Sequence, residues 1–531
     1  AARLRRAATV LHPYLQRRGC MRFSVAAGDG WSQGTDALIL LVPEKSKNAR
    51  LEKALALSAL AKRGVFEGKR DQVYALRLPR RAAGRQPEVV VLAGLGKAGE
   101  ATQETVRRAC GSAGRKARGE GARSLAVALE GAADGGLGAG EAARAAAEGL
   151  ELGLYRMERF KGAKGREKLA GERVDRAVLC GGKASQEAIR RGLRLGQALA
   201  EGTAVARDLV NTPSNEKRPP GLAAEVRRIA RRAGLRCTIL DDRRLRQLKM
   251  GALLAVARGS SAPARMFILE HRPGRGAARP IAFVGKGVTF DTGGISIKPS
   301  QNLELMTTDM SGAAAVVGAM VCVARLKPRV PVVGVGVLAE NMLGADATRP
   351  GDIVRAMSGA TIEIHNTDAE GRLILADALH YTKTRFRPQC MIDLATLTGA
   401  CVVALGERLT GLYGTHDELL ARVKQLGEET GDRVWHMPLY PEFGEMMKGK
   451  LADLCNISGA RYGGANTAAA FLQHFAGGTP WVHLDIAGPA HTSKDEPYRP
   501  AGGTGVGVRL LAELARTWTG LPKQKGRAFG T

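Results

Sequence analysis

The chain has 531 residues, of which 44% are hydrophobic and 4% aromatic, and its 80 Lys and Arg against 51 Asp and Glu give a formal net charge of +29. That length points to two or three domains with full apolar cores. Gly, Arg or Glu interrupts every apolar run long enough to cross a bilayer, and eight scattered cysteines without a C-x-x-C pair read as free thiols in a reducing compartment rather than a disulfide framework or a cysteine metal site.

Residues 1–20 contain five Arg and no acid. They read as a transit-like extension or as sequence upstream of the true start at Met21, and are set apart from the fold. From Met21 an N-terminal α/β domain is expected over 21–185. Its strands are MRFSVAAG, Ala37–Val42, Val73–Leu78, Glu88–Ala93 and Val174–Cys180, with a helix over Arg50–Lys62. After the fourth strand comes Gly94-Leu-Gly96-Lys-Ala-Gly99, formally G-x-G-x-x-G. The acidic residue a dinucleotide site needs, Glu120, stands in a Gly/Arg-rich loop, so a tight strand-to-helix turn is the preferred reading.

Residues 186–212 form a connecting helix that ends before Pro213. A larger domain over 213–520 follows, then a basic tail, 521–531. Leu222–Ala233 is a basic helix carrying Arg227, Arg228, Arg231 and Arg232. Strands alternating with helices predict a mixed, mainly parallel sheet flanked by helices in each domain.

The charge is unevenly placed. Residues 281–520 hold 22 Lys and Arg against 24 Asp and Glu, so the basic excess belongs to the first 280 residues. Such asymmetry can mark a nucleic-acid or anionic-membrane surface; a solvated Arg-rich surface from compositional bias is the preferred reading.

Two clusters carry the chemistry. The strand Ile281–Val284 opens into a glycine-rich turn with Lys286, Asp291, Lys298 and Asp309. The strand-like run Ala360–Ile364 leads to HNTDAEGRL, with Asp368, Glu370 and Arg372. Sites of open α/β folds sit at such strand ends. Several carboxylates converging on one point repel unless cations are bound, and two divalent ions with shared carboxylates account for this many. Lys286 reads either as an ordinary ion-paired lysine or, among divalent ions, as a neutral amine ligand. H-E-x-x-H is absent from the sequence, which excludes that helix-borne zinc-protease pattern.

These residues resemble the leucyl (cytosol) aminopeptidase family. The likeness rests on Val284-Gly-Lys-Gly-Val-Thr-Phe-Asp291, Ile295-Ser-Ile-Lys298-Pro-Ser300, Met306-Thr-Thr-Asp309-Met and, above all, Asn366-Thr-Asp-Ala-Glu-Gly-Arg-Leu373. Asn341-Met, Arg349-Pro-Gly-Asp352, Thr396-Leu-Thr-Gly-Ala400 and Leu484-Asp-Ile-Ala-Gly488 continue it in order. It is dense over about 205–515 and looser over 21–200. Leu343-Gly-Ala-Asp346 departs from it, where many members have Pro and further Gly.

The resemblance implies a two-metal aminopeptidase that removes N-terminal residues, Leu preferred, from peptides. Lys286, Asp291, Asp309 and Glu370 would hold the tighter ion. Asp291, Asp368 and Glu370 would hold the more exchangeable one, with the Asp368 carbonyl. The ions would be Mn²⁺ or Zn²⁺, with Mg²⁺ as a further candidate. Lys298 would stabilise the gem-diolate, and Arg372 would hold bicarbonate as general base. Met306, Thr396 and Gly399 would line the pocket for the first side chain. It further implies a homohexamer, a dimer of trimers, acting on peptides in the cytoplasm, or in an organelle if 1–20 is a transit segment, with no membrane partner. The alternative is a DNA-binding role for the same scaffold through its basic N-terminal half.

Overall fold

The computed structural model describes residues 21–46, 48–79, 86–274 and 278–521. The extension 1–20 and nearly all of the basic tail lie outside them. The chain forms two compact units, one of 21–200 with Ser493–Ala501, the other of Glu201–Thr492 with 502–521.

The first unit is built on a six-stranded sheet, β1 (Arg22–Ala27), β2 (Ala37–Val42), β3 (Val73–Arg77), β4 (Val89–Gly94), β5 (Ser124–Ala128) and β6 (Arg176–Gly181), in the order β1-β6-β5-β2-β4-β3. All pairs are parallel except the edge strand β3 against β4. The central strands ALILLV and VVVLAG are buried throughout, as parallel strands covered on both faces must be. The helix expected over 50–62 is two pieces, Ala49–Leu55 and Leu57–Lys62. Ala56 turns left-handed (φ 49°), and the Glu52 carboxylate accepts the Ser58 N–H to start the second piece. The glycine loop after β4 leads into α1 (Gln103–Gly119), whose first turn is capped by Thr102 in a reciprocal pair with Thr105. That cap takes up the Thr105 and Thr102 N–H groups, which fits the turn reading and leaves the phosphate-cradling role without support.

α1 packs against α2 (Ala139–Gly153) so closely that a Cβ on Gly149 would lie 2.3 Å from the Arg107 carbonyl. Between them Glu148 is fully buried and takes Arg107 Nε at 2.8 Å and Arg144 Nε at 2.9 Å. Removing the carboxylate would leave buried guanidinium charge short of its counter-ion. Glu148→Ala is therefore expected to destabilise the protein by about 3–5 kcal/mol, read by denaturant unfolding; a loss below about 1 kcal/mol, the range of exposed pairs, would contradict this.

The division between units falls inside the long helix α3 (Gln186–Asn211). The second unit carries an eight-stranded sheet of β7 (Arg236–Leu240), β8 (Arg265–His271), β9 (Ile281–Asp291), β10 (Val332–Asn341), β13 (Cys390–Ala395), β14 (Thr410–Gly414), β15 (Val434–His436) and β17 (Trp481–Asp485). Between and after these lie β11 (Ile353–Arg355), β12 (Thr361–Glu363) and β16 (Leu454–Cys455) in a small sheet, and the pair β18 (His491–Thr492) and β19 (Gly502–Gly503). The large sheet runs β15-β14-β17-β13-β9-β10-β8-β7, with β17, β13, β9 and β10 a parallel centre.

The sequence predicts a short strand, Ile281–Val284, opening into a turn; the strand instead runs unbroken to Asp291, so Lys286 and Asp291 lie on it. Its glycines serve packing. A Cβ on Gly285 would lie 2.6 Å from Ala313 of α6 (Ser311–Leu326), and one on Gly312 would lie 2.1 Å from the Leu394 carbonyl. Small residues thus bring α6 onto one face, and the alternation of the strand turns Lys286 to the other.

The segment Leu303–Leu326 is, by length and composition, apolar enough to span a bilayer, although interrupted runs had excluded one from sequence. Its most apolar 18-residue stretch is 83% buried, as a core helix is. The seven described cysteines form no disulfide, and six of them are buried.

The basic helix is α4 (Pro219–Ala233). Arg227, Arg231 and Arg232 are exposed, but Arg228 is half-buried and bonds Glu225. By i,i+3 and i,i+4 spacing Arg228 shares a face with Arg231 and Arg232, but its pairing with Glu225 takes one charge out of that face.

Candidate functional site

The C-terminal ends of the parallel centre bring both clusters together. β9 supplies Lys286 and Asp291; a 3₁₀ turn, Leu303–Thr308, supplies Met306 and ends at Asp309. Helix α7 (Glu370–Phe386) begins at Glu370, two residues after Asp368. It packs on the sheet face that Lys286 faces, and its Gly371 lets the lysine pass: a Cβ there would lie 2.8 Å from Lys286 Cδ, Cε and Nζ.

Lys286 Nζ sits 2.8 Å from Asp309 Oδ1, 2.8 Å from Glu370 Oε1 and 2.7 Å from the Thr396 carbonyl. Asp291, Asp309 and Glu370 are buried and each place an oxygen within 4.8 Å of the others. Lys298, on the loop after β9, reaches Asp291 Oδ2 at 3.0 Å and also contacts Asp368 Oδ1. Arg372 is buried on α7 and donates from Nη1 to the Asn456 carbonyl at 2.8 Å. Met306 and Thr396 are half-buried and Gly399 is exposed, at the start of α8 (Gly399–Leu405).

The electrostatics follow from four carboxylates facing two ammonium groups in little water. Burial, then Asp291, pushes Glu370 up to about 8. Burial lifts Asp309 to about 6, and burial with Asp291 raises Asp368. Burial works against the Lys286 ammonium, but Asp309, Glu370 and Asp291 overcome it and hold the group above the usual lysine range. Lys298 is held up in the same way by Asp291 and Asp368. Burial lowers Arg372 to about 10. With carboxylates alone, then, Lys286 is an ion-paired ammonium, and the neutral-amine reading belongs to a site that also holds cations.

The residues present fit such cations. The carboxylates outnumber the ammonium groups two to one, and Asp309 Oδ2 is buried without a hydrogen-bond partner among the described residues. Hard oxygen donors with shared carboxylates are the donor set divalent ions select.

Several residues were not read from sequence as parts of this site. Asn341, at the end of β10, donates to Asp291 Oδ1 at 2.8 Å and to the Thr367 carbonyl at 3.1 Å, tying one cluster to the other. Thr396, read as pocket lining, also gives its hydroxyl to Asp309 Oδ1 at 2.6 Å. Lys217 is buried and donates to the Leu209, Val210 and Thr307 carbonyls, fastening the turn that carries Met306 to the end of α3. Asn341 had a signal, since it closes an apolar strand run. Lys217 had none: in Glu216-Lys-Arg-Pro-Pro220 it looks like the exposed Arg218 beside it.

Gly371 gives a direct test of the packing. Alanine there favours the helix by up to about 1 kcal/mol, yet it must displace Lys286. Gly371→Ala is expected to keep its melting temperature and to weaken Mn²⁺ binding by roughly tenfold, the scale of a disturbed ligand support; unchanged affinity in calorimetric titration would contradict the crowding.

A lysine and carboxylates converging at the C-terminal edge of a parallel sheet define a cation-dependent enzyme centre on an α/β fold. The catalytic-domain model of the cytosol aminopeptidase family matches residues 204–512, and its N-terminal-domain model matches 40–164. A probable cytosol aminopeptidase of Syntrophotalea carbinolica is 42% identical over 484 residues, 91% of this chain and 95% of that protein. One of Brucella ovis is 47% identical over 378 residues, 71% of this chain and 75% of that protein. Among solved structures, the bottromycin maturation enzyme BotP in complex with Mn superposes with a TM-score of 0.80 at 37% identity, covering 91% of this chain and 99% of that one. The chain belongs to the cytosol aminopeptidase family, whose members are metal-dependent peptidases.

Proposed function

We propose that this protein is a two-metal aminopeptidase that removes the N-terminal residue, Leu preferred, from peptides. The observation that carries the reading is the triad Asp291, Asp309 and Glu370, with oxygens within 4.8 Å, closed by Lys286 at one sheet edge. In this reading Lys286, Asp291, Asp309 and Glu370 hold one divalent ion. Asp291, Glu370, Asp368 and the Asp368 carbonyl hold the other. Manganese is the first choice, since BotP was solved with Mn. Two divalent ions held there supply the positive charge that makes water a nucleophile near neutral pH and polarises an amide carbonyl.

The chain's own groups do the rest. Lys298 Nζ, held by the Asp291 and Asp368 carboxylates, would be a donor for the carbonyl oxygen as negative charge grows on it. Arg372 keeps a buried Nε without a protein partner among the described residues, a donor suited to a small oxyanion, and bicarbonate there is the general base. Met306, Thr396 and Gly399 shape the pocket for the first side chain. A cytoplasmic homohexamer completes the reading, on the family resemblance. Nucleic-acid binding draws no support from α4, where Arg228 is engaged by Glu225.

The test is leucine-p-nitroanilide hydrolysis by chelator-stripped protein re-supplied with Mn²⁺, Zn²⁺ or Mg²⁺. Activity should vanish on stripping and return with at least one ion. Hydrolysis that survives stripping, or that no ion restores, would overturn the assignment.

A further inference from the structure

We propose that Asp485 is a positioning residue for the cation site, fixing the segment 396–398 and, through Thr396, the placement of Lys286 and Asp309. The inference rests on the two-metal reading above. Asp485 ends β17 and is 1% exposed. No salt bridge reaches it among the described residues. Its oxygens go instead to backbone and hydroxyl donors. Oδ1 accepts the Leu397 N–H at 3.2 Å and the Ala487 N–H at 3.1 Å, and Oδ2 accepts the Thr398 hydroxyl at 2.7 Å. Thr398 in turn accepts the Cys401 N–H and caps α8.

Thr396 is therefore held from both sides. On one side Ala395 pairs across the sheet with Asp485, and its carbonyl accepts the Ile486 N–H at 2.8 Å. On the other side Leu397 is fastened by the Asp485 carboxylate. With both neighbours fixed, the Thr396 carbonyl is aimed at Lys286 and its hydroxyl at Asp309, two of the four side chains assigned to one ion. Burying a carboxylate is expensive unless its hydrogen bonds are made. Here two of those bonds go to Leu397 and Thr398, directly after Thr396, and the third to Ala487, just past the end of β17. Thr396 is the group one step behind the ligands, where losing support typically weakens metal binding by 10–100-fold, and Asp485 exerts that effect by fixing Thr396.

The experiment compares full-length Asp485→Ala and Asp485→Asn with the parent protein, each stripped with chelator. It reads Mn²⁺ affinity by calorimetric titration, melting temperature, and kcat and KM for leucine-p-nitroanilide at saturating Mn²⁺. Asp485→Ala is expected to bind Mn²⁺ roughly 10–100-fold more weakly. Asp485→Asn, which keeps a carbonyl oxygen for Leu397 and Ala487, is expected to recover most of that loss. In combination with Thr396→Val the loss should be less than additive, because both act on the same ligands. A fall in melting temperature with Mn²⁺ affinity unchanged would make Asp485 a core residue only and overturn the inference. Parent protein that binds no Mn²⁺ would instead overturn the two-metal reading and this inference with it. Should Asp485→Ala fail to fold, Thr398→Val takes its place: it removes one of the three bonds, Mn²⁺ affinity should fall several-fold, and unchanged affinity would again overturn the inference.

Discussion

Glu370→Ala is expected to bind Mn²⁺ at no more than a small fraction of parental affinity and to hydrolyse leucine-p-nitroanilide at the background rate. The side chain is buried at the first turn of α7 and contributes an oxygen to the triad with Asp291 and Asp309. In the proposed site it serves both ions, so its loss removes a ligand from each. It also cuts the carboxylate excess over Lys286 and Lys298 from two charges to one. Asp368→Ala should lose activity as well, with the loss of metal confined to one ion. The stability change separates this account from plain misfolding. Burial and Asp291 hold the Glu370 carboxyl far above its free value, up to about 8. Its ionised form is disfavoured in the folded protein, so the side chain costs stability above its unfolded pKa, increasingly so as pH rises toward 8. Without metal, Glu370→Ala should therefore unfold no earlier than metal-free parent at pH 7. Two tightly bound ions per chain and near-parental turnover in this variant would dispose of the ligand assignment.

How far the sequence disclosed this site depends on which residue is considered. Charged side chains set into apolar runs, such as Lys286 and Asp291 in IAFVGKGVTFD, stand out because a buried parallel strand is otherwise almost wholly apolar. The same run was read as too short, because glycine is ordinarily a turn signal; here Gly285 and Gly287 let helix α6 and strand β10 approach, a reason that exists only in three dimensions. Glu370 stands beside Asp368 and Arg372 in the sequence by adjacency alone; that it opens helix α7 with its carboxylate in the cluster is visible only in the structure.

Supporting residues were the least legible. Asp485 lay in plain view in Leu484-Asp-Ile-Ala-Gly488, yet its partners Leu397 and Thr398 are more than eighty residues away. Nothing local tells a carboxylate that binds a cation from one that fastens a loop. Charge counting failed in the opposite direction on α4. Spacing set Arg228 beside Arg231 and Arg232, while the same spacing rule applied to Glu225 and Arg228 would have found the pair that engages it.

Lys298→Ala is expected to keep both Mn²⁺ ions and lose roughly 10²–10³-fold in kcat, the effect of removing one preorganised donor to a developing oxyanion. Lys298 sits on the loop after β9, with its own N–H bonded to the Thr292 carbonyl at 2.9 Å. Its side chain is about one-fifth exposed, whereas Lys286 is sealed in. One lysine is thus buried among carboxylates and the other is open to solvent, as the proposed role at a substrate carbonyl requires. Because Lys298 is a cation in a carboxylate-rich site, removing it should not lower cation affinity; the oxygens of Asp291 and Asp368 that it now engages would be released to the ions. Mn²⁺ affinity equal to or above that of the parent, together with a collapsed kcat and little change in KM, is the result that places Lys298 at the carbonyl. Lys298→Arg should restore little, since a planar guanidinium cannot replace a compact ammonium on the same short approach. A change confined to KM would make Lys298 a substrate-binding residue, and loss of the ions would make it a structural partner of Asp291 and Asp368.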